Sequence, residues 1–300
     1  MKIFTITAAA LLTLLLAPSI AGAAPQPRPG PDLPAATPRI DGAATVSANR
    51  ICPTMRRLAR SGNSRPALMV KNLGSGKSVC GLNARGSRSL ASNMKVFTTV
   101  TSLARLGPRH RFRTRLFADG RINARGVLRG NLFLKGGGDP SLGQKDFLSG
   151  FTAGAGSEIE KLAIKAKRAG IRKVTGRLFG DDTVFDRKRG VADSGYGTSP
   201  WIGPLSGLSI NAGYTSASVS RFSSNPARLA TRTLVRELRR RGISIRPEIA
   251  LKKTPRPAHK NLVARQVSEN MTWMSRITNL NSNNFFAEML LKNLGAELRN

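Results

Sequence analysis

Ser92-Asn93-Met94-Lys95 sets a hydroxyl and an amine three residues apart. On a helix, positions i and i+3 share a face, so the Lys95 amine approaches the Ser92 hydroxyl. Ser92 stands where a helix is expected to begin. The partial positive charge of a helix amino terminus favours a developing anion there. It also helps to draw the lysine pKa down toward that of a usable base. The chemistry would be nucleophilic acyl transfer, with nucleophile and base in one turn and no need of histidine. The plainer reading makes Ser92 an N-cap and leaves Lys95 in solvent. With 26 Ser and 15 Lys in 300 residues, chance supplies about one Ser-x-x-Lys, and the chain contains one. A short motif of this kind gains meaning only from its structural context.

Ser282-Asn283-Asn284 is the second candidate. A Ser-x-Asn before a helix offers a hydroxyl for proton relay and an amide to hold a substrate carbonyl. The same pattern occurs at Ser47, Ser61, Ser209, Ser223 and Ser268. Serine and asparagine are ordinary turn and cap residues, so spacing does not choose among the six. Gly136-Gly137-Gly138 precedes Asp139-Pro140, but it lacks the Lys-Ser/Thr ending of a phosphate-binding P-loop. It reads as a tight turn leaving a strand. Asp181-Asp182 would point to opposite faces if extended, which favours a surface turn over acid–base work.

Composition narrows the chemistry further. Two histidines, His110 and His259, leave little room for a histidine-rich metal site or a Ser-His-Asp triad. Two cysteines cannot build a four-cysteine zinc site. No metal and no cofactor is expected.

The elements that must position these residues are legible as a mixture of helix and strand. At roughly 150 residues per domain, 300 residues suggest about two domains. Hydrophobic residues make up 40% and aromatics 5%, so the core is expected to be aliphatic. Helices are expected over 51–60, 92–106, 158–169, 226–241, 271–280 and 285–298. In 92–106, Phe97, Val100, Leu103 and Ala104 form one stripe, and Gly107-Pro108 stops the helix. Strands are expected over 66–72, 78–83, 111–117, 130–135, 173–179, 216–222 and 243–251. Cys52 and Cys80 flank the first helix and hairpin, and a disulfide between them is expected in an oxidising compartment.

The compartment is read from the amino terminus. Lys2, an apolar run over 3–16, Pro18 and Ala21-Gly22-Ala23 form the tripartite pattern of a cleaved signal peptide. Residues 1–23 are therefore expected to be removed, and the Pro/Ala-rich 24–45 to be an extended linker. The net charge is +33. Inside a cell such a charge would suggest nucleic acid. An exported chain, periplasmic or associated with the cell wall, meets anionic cell-wall polymers instead, and nucleic acid is not an expected partner. The basic residues are scattered, densest over 236–241, and read as a solvated surface rather than a dedicated patch.

Taken together, four stretches resemble the class C low-molecular-mass penicillin-binding proteins, the D-alanyl-D-alanine carboxypeptidase/endopeptidases. LASNMKVFTTVTSLARLGPRHRFRT (90–114) is similar to the family's nucleophile helix. GNLFLKGGGDPSL (130–142) and VTGRLFGDDTVFD (174–186) are similar to its insert signatures, and NSNNFFAEMLLKNLGAE (281–297) to its Ser-x-Asn helix. PLSGLSINAG (204–213) is similar to another family segment, which makes Ser209 a decoy. The resemblance implies an α+β fold, a split penicillin-binding/β-lactamase-like transpeptidase domain with an inserted α/β region. Its first piece is 46–115, the insert 116–264, and the second piece 265–300. It further implies that Ser92 is the acylated nucleophile, Lys95 its base, Ser282 a proton relay, and Asn284 a carbonyl-binding residue that steadies Lys95. Peptidoglycan stem peptides would be the substrate and β-lactams the inhibitors. The family's Lys-Thr/Ser-Gly motif is absent, and Lys253-Thr254-Pro255 precedes the Ser-x-Asn and is no substitute. The resemblance therefore implies a transpeptidase domain whose carboxy-terminal part is missing, and a 300-residue chain inert by itself. A non-catalytic wall-binding protein or the remnant of a split gene is the competing expectation.

Overall fold

A computed structural model describes residues 48–62, 65–190 and 202–298. The expected signal peptide and linker lie outside the described residues. The chain order begins with α1 (Ala48–Arg60), β1 (Leu68–Lys71) and β2 (Ser78–Leu82). The two strands form an antiparallel hairpin. Its turn is closed by Asn72, which accepts from Gly76 N at 2.8 Å and, through its side chain, from Ser75 N at 2.9 Å. Helix α1 lies against β2, and Arg56 donates to Gly81 O at 3.1 Å.

Cys52 and Cys80 are both buried in that contact. The expected bridge is not formed in this structure, where both are free thiols. Cys52 Sγ instead donates to Val79 O at 3.4 Å, and the adjacent Cys80 thiol pushes the Cys52 pKa up.

A 3-10 turn, Ala91–Asn93, runs into α2 (Met94–Leu106). Then come β3 (Arg113–Ala118), β4 (Val127–Leu128), β5 (Leu132–Lys135), β6 (Leu142–Gly143), α3 (Lys145–Phe151), β7 (Ser157–Glu158) and α4 (Glu160–Arg168). They are followed by β8 (Lys173–Val174), β9 (Leu178–Asp181), α5 (Pro226–Arg240), β10 (Ile249–Leu251), β11 (Leu262–Val267), α6 (Met271–Leu280) and α7 (Asn284–Glu297). The expected strand over 216–222 reduces to a single bridge, Tyr214 with Phe222. Val219 there has φ 48°, a left-handed conformation that breaks an extended run.

The central sheet has the order β10-β9-β5-β3-β11. Strands β10, β9 and β5 are mutually parallel, and β3 runs antiparallel to both β5 and β11. Strand alternation sends Leu116, Leu132, Leu134 and Leu178 to one face. There they meet Leu162 and Ala166 of α4 and Ala230, Leu234 and Leu238 of α5 in a closed aliphatic core. Burying each such leucine contributes about 1.5–3 kcal/mol. A second core joins Met271, Met274, Phe286, Met289 and Leu290 of α6 and α7 to Phe147, Phe185 and Tyr214 of the middle of the chain. Arg115 on β3 and Arg265 on β11 are register partners within this sheet.

The glycine triplet is where the sheet meets α7. An added Cβ would fall 2.1 Å from Gly207 O at Gly136 and 2.3 Å from Arg113 O at Gly137. Gly138 has φ 71°. Its carbonyl accepts from Asn293 Nδ2 of α7 at 2.8 Å, and its N–H donates to Gly207 O at 2.9 Å. Close backbone approach explains Gly136 and Gly137, while the left-handed φ and the Asn293 and Phe185 side chains explain Gly138. The expected tight turn is instead an irregular run leaving β5, and the turn itself falls at Pro140-Ser141.

Candidate active site

The 3-10 turn places Ser92 one turn ahead of Lys95, and Lys95 Nζ donates to Ser92 Oγ at 3.1 Å. Asn93 makes no side-chain cap bond at the start of α2, and neither does Leu90 at the start of the turn. The Ser92 hydroxyl is engaged with Lys95 rather than with the helix backbone. Burial lowers the Lys95 pKa, and the Glu288 carboxylate partly opposes this.

The partner comes from 190 residues away. Ser282 Oγ donates to Ser92 Oγ at 2.7 Å. The Asn/Ser-rich turn aims it there. Ser282 has φ 49°, and the middle residue, Asn283, is the buried N-cap of α7, accepting from Phe286 N at 3.0 Å. Capping by Asn283 leaves Asn284 as the first residue of α7, at the cavity wall. A second left-handed residue, Ala91 at φ 44°, precedes Ser92. Non-glycine residues in this region cost about 1–3 kcal/mol and gather at functional sites.

Helices α2, α6 and α7 hold the two halves together. Thr99 is buried between them, and Asn279 Nδ2 of α6 donates to Thr99 Oγ1 at 3.1 Å. The result is an open cavity of about 470 Å³ lined by Ser92, Lys95, Ile202, Asn284, Glu288 and Leu291 among others. All four expected site residues converge here, Ser282 through its bond to Ser92 and the other three on the cavity wall. Glu288 was not anticipated. Its signal was the four-residue spacing from Asn284, which puts both on one face of α7. Burial raises the Glu288 pKa, while Lys292 and Lys95 pull it down.

The remaining candidates fall elsewhere. Ser209 is buried and does not line this cavity. Asp181 and Asp182 do not form the surface turn expected of them. Asp181 is only 1% exposed and accepts from Thr183 N, Thr183 Oγ1 and Thr254 N at 3.0, 2.7 and 2.7 Å. Burial works to raise its pKa, but these bonds outweigh it and hold the carboxyl low. Asp182 pairs with Arg189 and accepts from Ser206 Oγ at 3.1 Å. Both acids are structural, and Thr254 of the Lys-Thr-Pro stretch is committed to Asp181.

A serine held by a lysine three residues on and by a second serine before an asparagine-capped helix is the arrangement that the resemblance implies. The model of the D-Ala-D-Ala carboxypeptidase 3 (S13) family matches residues 56–224 and 214–300. The chain belongs to this family. Among relatives, it is 37% identical over 103 residues to a D-alanyl-D-alanine carboxypeptidase of Actinomadura sp., covering 34% of this chain and 17% of the relative. It is 31% identical over 122 residues to the D-alanyl-D-alanine carboxypeptidase DacB of Haemophilus influenzae, covering 41% of this chain and 23% of the relative. The fold is similar to the crystal structure of penicillin binding protein 4 of Haemophilus influenzae. The TM-score is 0.61 at 18% identity, over 77% of this chain and 62% of that one. The matched regions thus span less than a quarter of each curated carboxypeptidase. Within the family's fold, the α+β architecture expected from sequence stands.

Proposed function

We propose that the protein is a serine-type D-Ala-D-Ala carboxypeptidase/endopeptidase that acts on peptidoglycan stem peptides through an acyl-enzyme on Ser92. The observation that carries this reading is the Lys95–Ser92–Ser282 chain of hydrogen bonds, 3.1 and 2.7 Å, at the wall of an open cavity. In its neutral form Lys95 takes the Ser92 proton as Oγ attacks the carbonyl carbon of the penultimate D-alanine. The C–N bond to the terminal residue then breaks. Lys95 returns the proton through Ser282 to the leaving amine. Water, deprotonated by Lys95, cleaves the ester and restores the Ser92 hydroxyl. Asn284, at the cavity wall, holds the substrate's peptide carbonyl. β-Lactams acylate the same oxygen. The amino-terminal pattern supports an exported enzyme whose mature chain begins at Ala24.

Fluorescent penicillin tests the reading. It is applied to the 300-residue chain and to the same chain joined to the carboxy-terminal segment of a family member. Label on Ser92 in at least the joined protein, lost in Ser92→Ala and in Lys95→Ala, is the expected result. No label in either protein, or persistent label in Ser92→Ala, would overturn it.

A further inference from the structure

The outer face of the central sheet carries a row of charge beside an apolar row, Phe117, Phe133 and Phe179, which is covered by the 3-10 turn Arg256–Lys260 through Ala258 and His259. Alternation along β3 sends Thr114 and Leu116 inward and Arg113 and Arg115 outward. The register sets Arg265 of β11 opposite Arg115, and Arg115 opposite Lys135 of β5. Three cations therefore lie in one row across three adjacent strands. Like charges directly opposite each other destabilise a sheet. Among the described residues, no carboxylate forms an ion pair with Arg113, Arg115, Lys135 or Arg265. The next position in the row, opposite Lys135, is Asp181, whose carboxylate is buried and taken by Thr183 and Thr254. Burial, then Arg113 and Arg265, hold the Arg115 pKa below its ordinary value.

A cavity of about 380 Å³ opens beside the same strand. His110, Arg111, Arg113 and Arg115 line it, against one acid, Glu297. A second acid, Glu269, stands 3.8 Å from Arg111. At the other end of the row, Lys135 Nζ lies 3.4 Å from His259 Nε2, and exposed Lys252 and Lys253 extend the strip.

We propose that this face binds a phosphodiester polymer, with one phosphate seated in the cavity among Arg111, Arg113 and Arg115 and the chain running along the row toward Lys135. Guanidinium forks match phosphate oxygens in pairs. A run of cations beyond the cavity suits a repeating anion rather than a single one. Nucleic acid is disfavoured, because single-stranded recognition stacks bases on accessible aromatic rings. Here Phe117 and Phe133 are buried, and Lys252 sits over Phe179 at 5.7 Å. The fitting ligand is a polymer of phosphate diesters and small polyols without bases. Helix α7 links the two sites. Asn284 lines the Ser92 cavity and Asn293 lines this one. Nine residues separate them, about 14 Å along a helix. Polymer bound here would hold the Ser92 cavity close to an anionic surface. Binding at this face does not depend on acyl transfer at Ser92.

The test titrates fluorescent poly(glycerol phosphate) onto the full 300-residue chain. One triple variant is Arg113→Gln with Arg115→Gln and Arg265→Gln. The other is Arg228→Gln with Arg232→Gln and Arg239→Gln, on the exposed face of α5, which removes the same charge. The sheet triple is expected to weaken binding by about tenfold or more, and to flatten the log–log salt dependence by about 1 for each phosphate left unpaired. The α5 triple is expected to stay within about twofold, since diffuse surface charge is screened. The melting temperature of the sheet triple should not fall, because it relieves like-charge repulsion. If it does fall, the single Arg115→Gln variant should still weaken binding more than any single α5 change. Equal losses from the two triples would overturn the proposal. So would tighter binding of oligothymidylate, or competition by inorganic phosphate as effective per phosphate as the polymer.

Discussion

At the scale of single residues, the site runs on the protonation of Lys95. Its neutral amine is the base, and the neutral fraction rises as pH rises through the Lys95 pKa. Burial lowers that pKa and Glu288 raises it. Replacing Glu288 with Gln removes the opposing charge, so the pKa should fall further. The acid limb of the acylation rate against pH should then move to lower pH, with the plateau retained. A limb that stays in place, or moves up, would mean that Glu288 does not act on Lys95. Ser282 separates strain from chemistry. Its left-handed φ of 49° suits glycine. Ser282→Gly should leave the melting temperature unchanged or raise it, by up to about 1 kcal/mol of stability. It should slow penicillin acylation by about 10²–10⁴, the usual range for a lost proton-transfer group. Stability and acylation falling together would mark Ser282 as structural instead.

At the scale of elements, two small devices hold α7 in place. The first is the buried cap. Asn283→Ala should cost about 0.5–2 kcal/mol in denaturant unfolding, the usual penalty for a lost N-cap. The second is the glycine turn. A methyl at Gly137 would meet Arg113 O at 2.3 Å, and that oxygen belongs to backbone with little room to yield. Gly137→Ala should cost about 1–3 kcal/mol, the range for forced overpacking. A neutral outcome at Gly137 would show that β3 can shift at this point. Most helices were legible, because their apolar spacing, caps and Gly stops are local. The 3-10 start of α2, strands β4, β6 and β7, and α3 were not, and these strands form only by pairing with a segment elsewhere in the chain. Strand β6, for example, pairs with β7, Leu142 with Ser157.

At the scale of the whole molecule, the apolar stripe of α2 is mostly exposed, with Leu103 alone of its members packed against the core of α6 and α7. Phe97 is 61% and Val100 58% exposed, while Thr99 and Ser102 are the buried residues of this helix. The stripe predicted the helix correctly but did not identify the face that packs on α6 and α7. A contiguous exposed apolar patch binds other apolar surfaces. A hydrophobic dye should therefore bind the 300-residue chain, and Phe97→Glu should reduce that binding. The same change should alter unfolding free energy by no more than about 0.5 kcal/mol, as for other surface positions. A large loss of stability would show that Phe97 packs against something in solution.

The amino-acid sequence by itself determined what lies within a few turns of each residue. The Ser92–Lys95 pair follows from helix geometry, the ends of α5 and α6 from Asn caps and a glycine stop, and the net charge from composition. Spacing did not choose among six Ser-x-Asn sites, and the resemblance pointed to Ser282. The meeting of Ser282 with Ser92 rests on packing α7 against α2 across 190 residues, which only the tertiary structure decided. It likewise decided that Glu288 shares the cavity with Lys95. It also gathered Arg265, Arg115 and Lys135, scattered in sequence, into one row. Strand register sets that row, and register is fixed by pairing the apolar face of the sheet with α4 and α5.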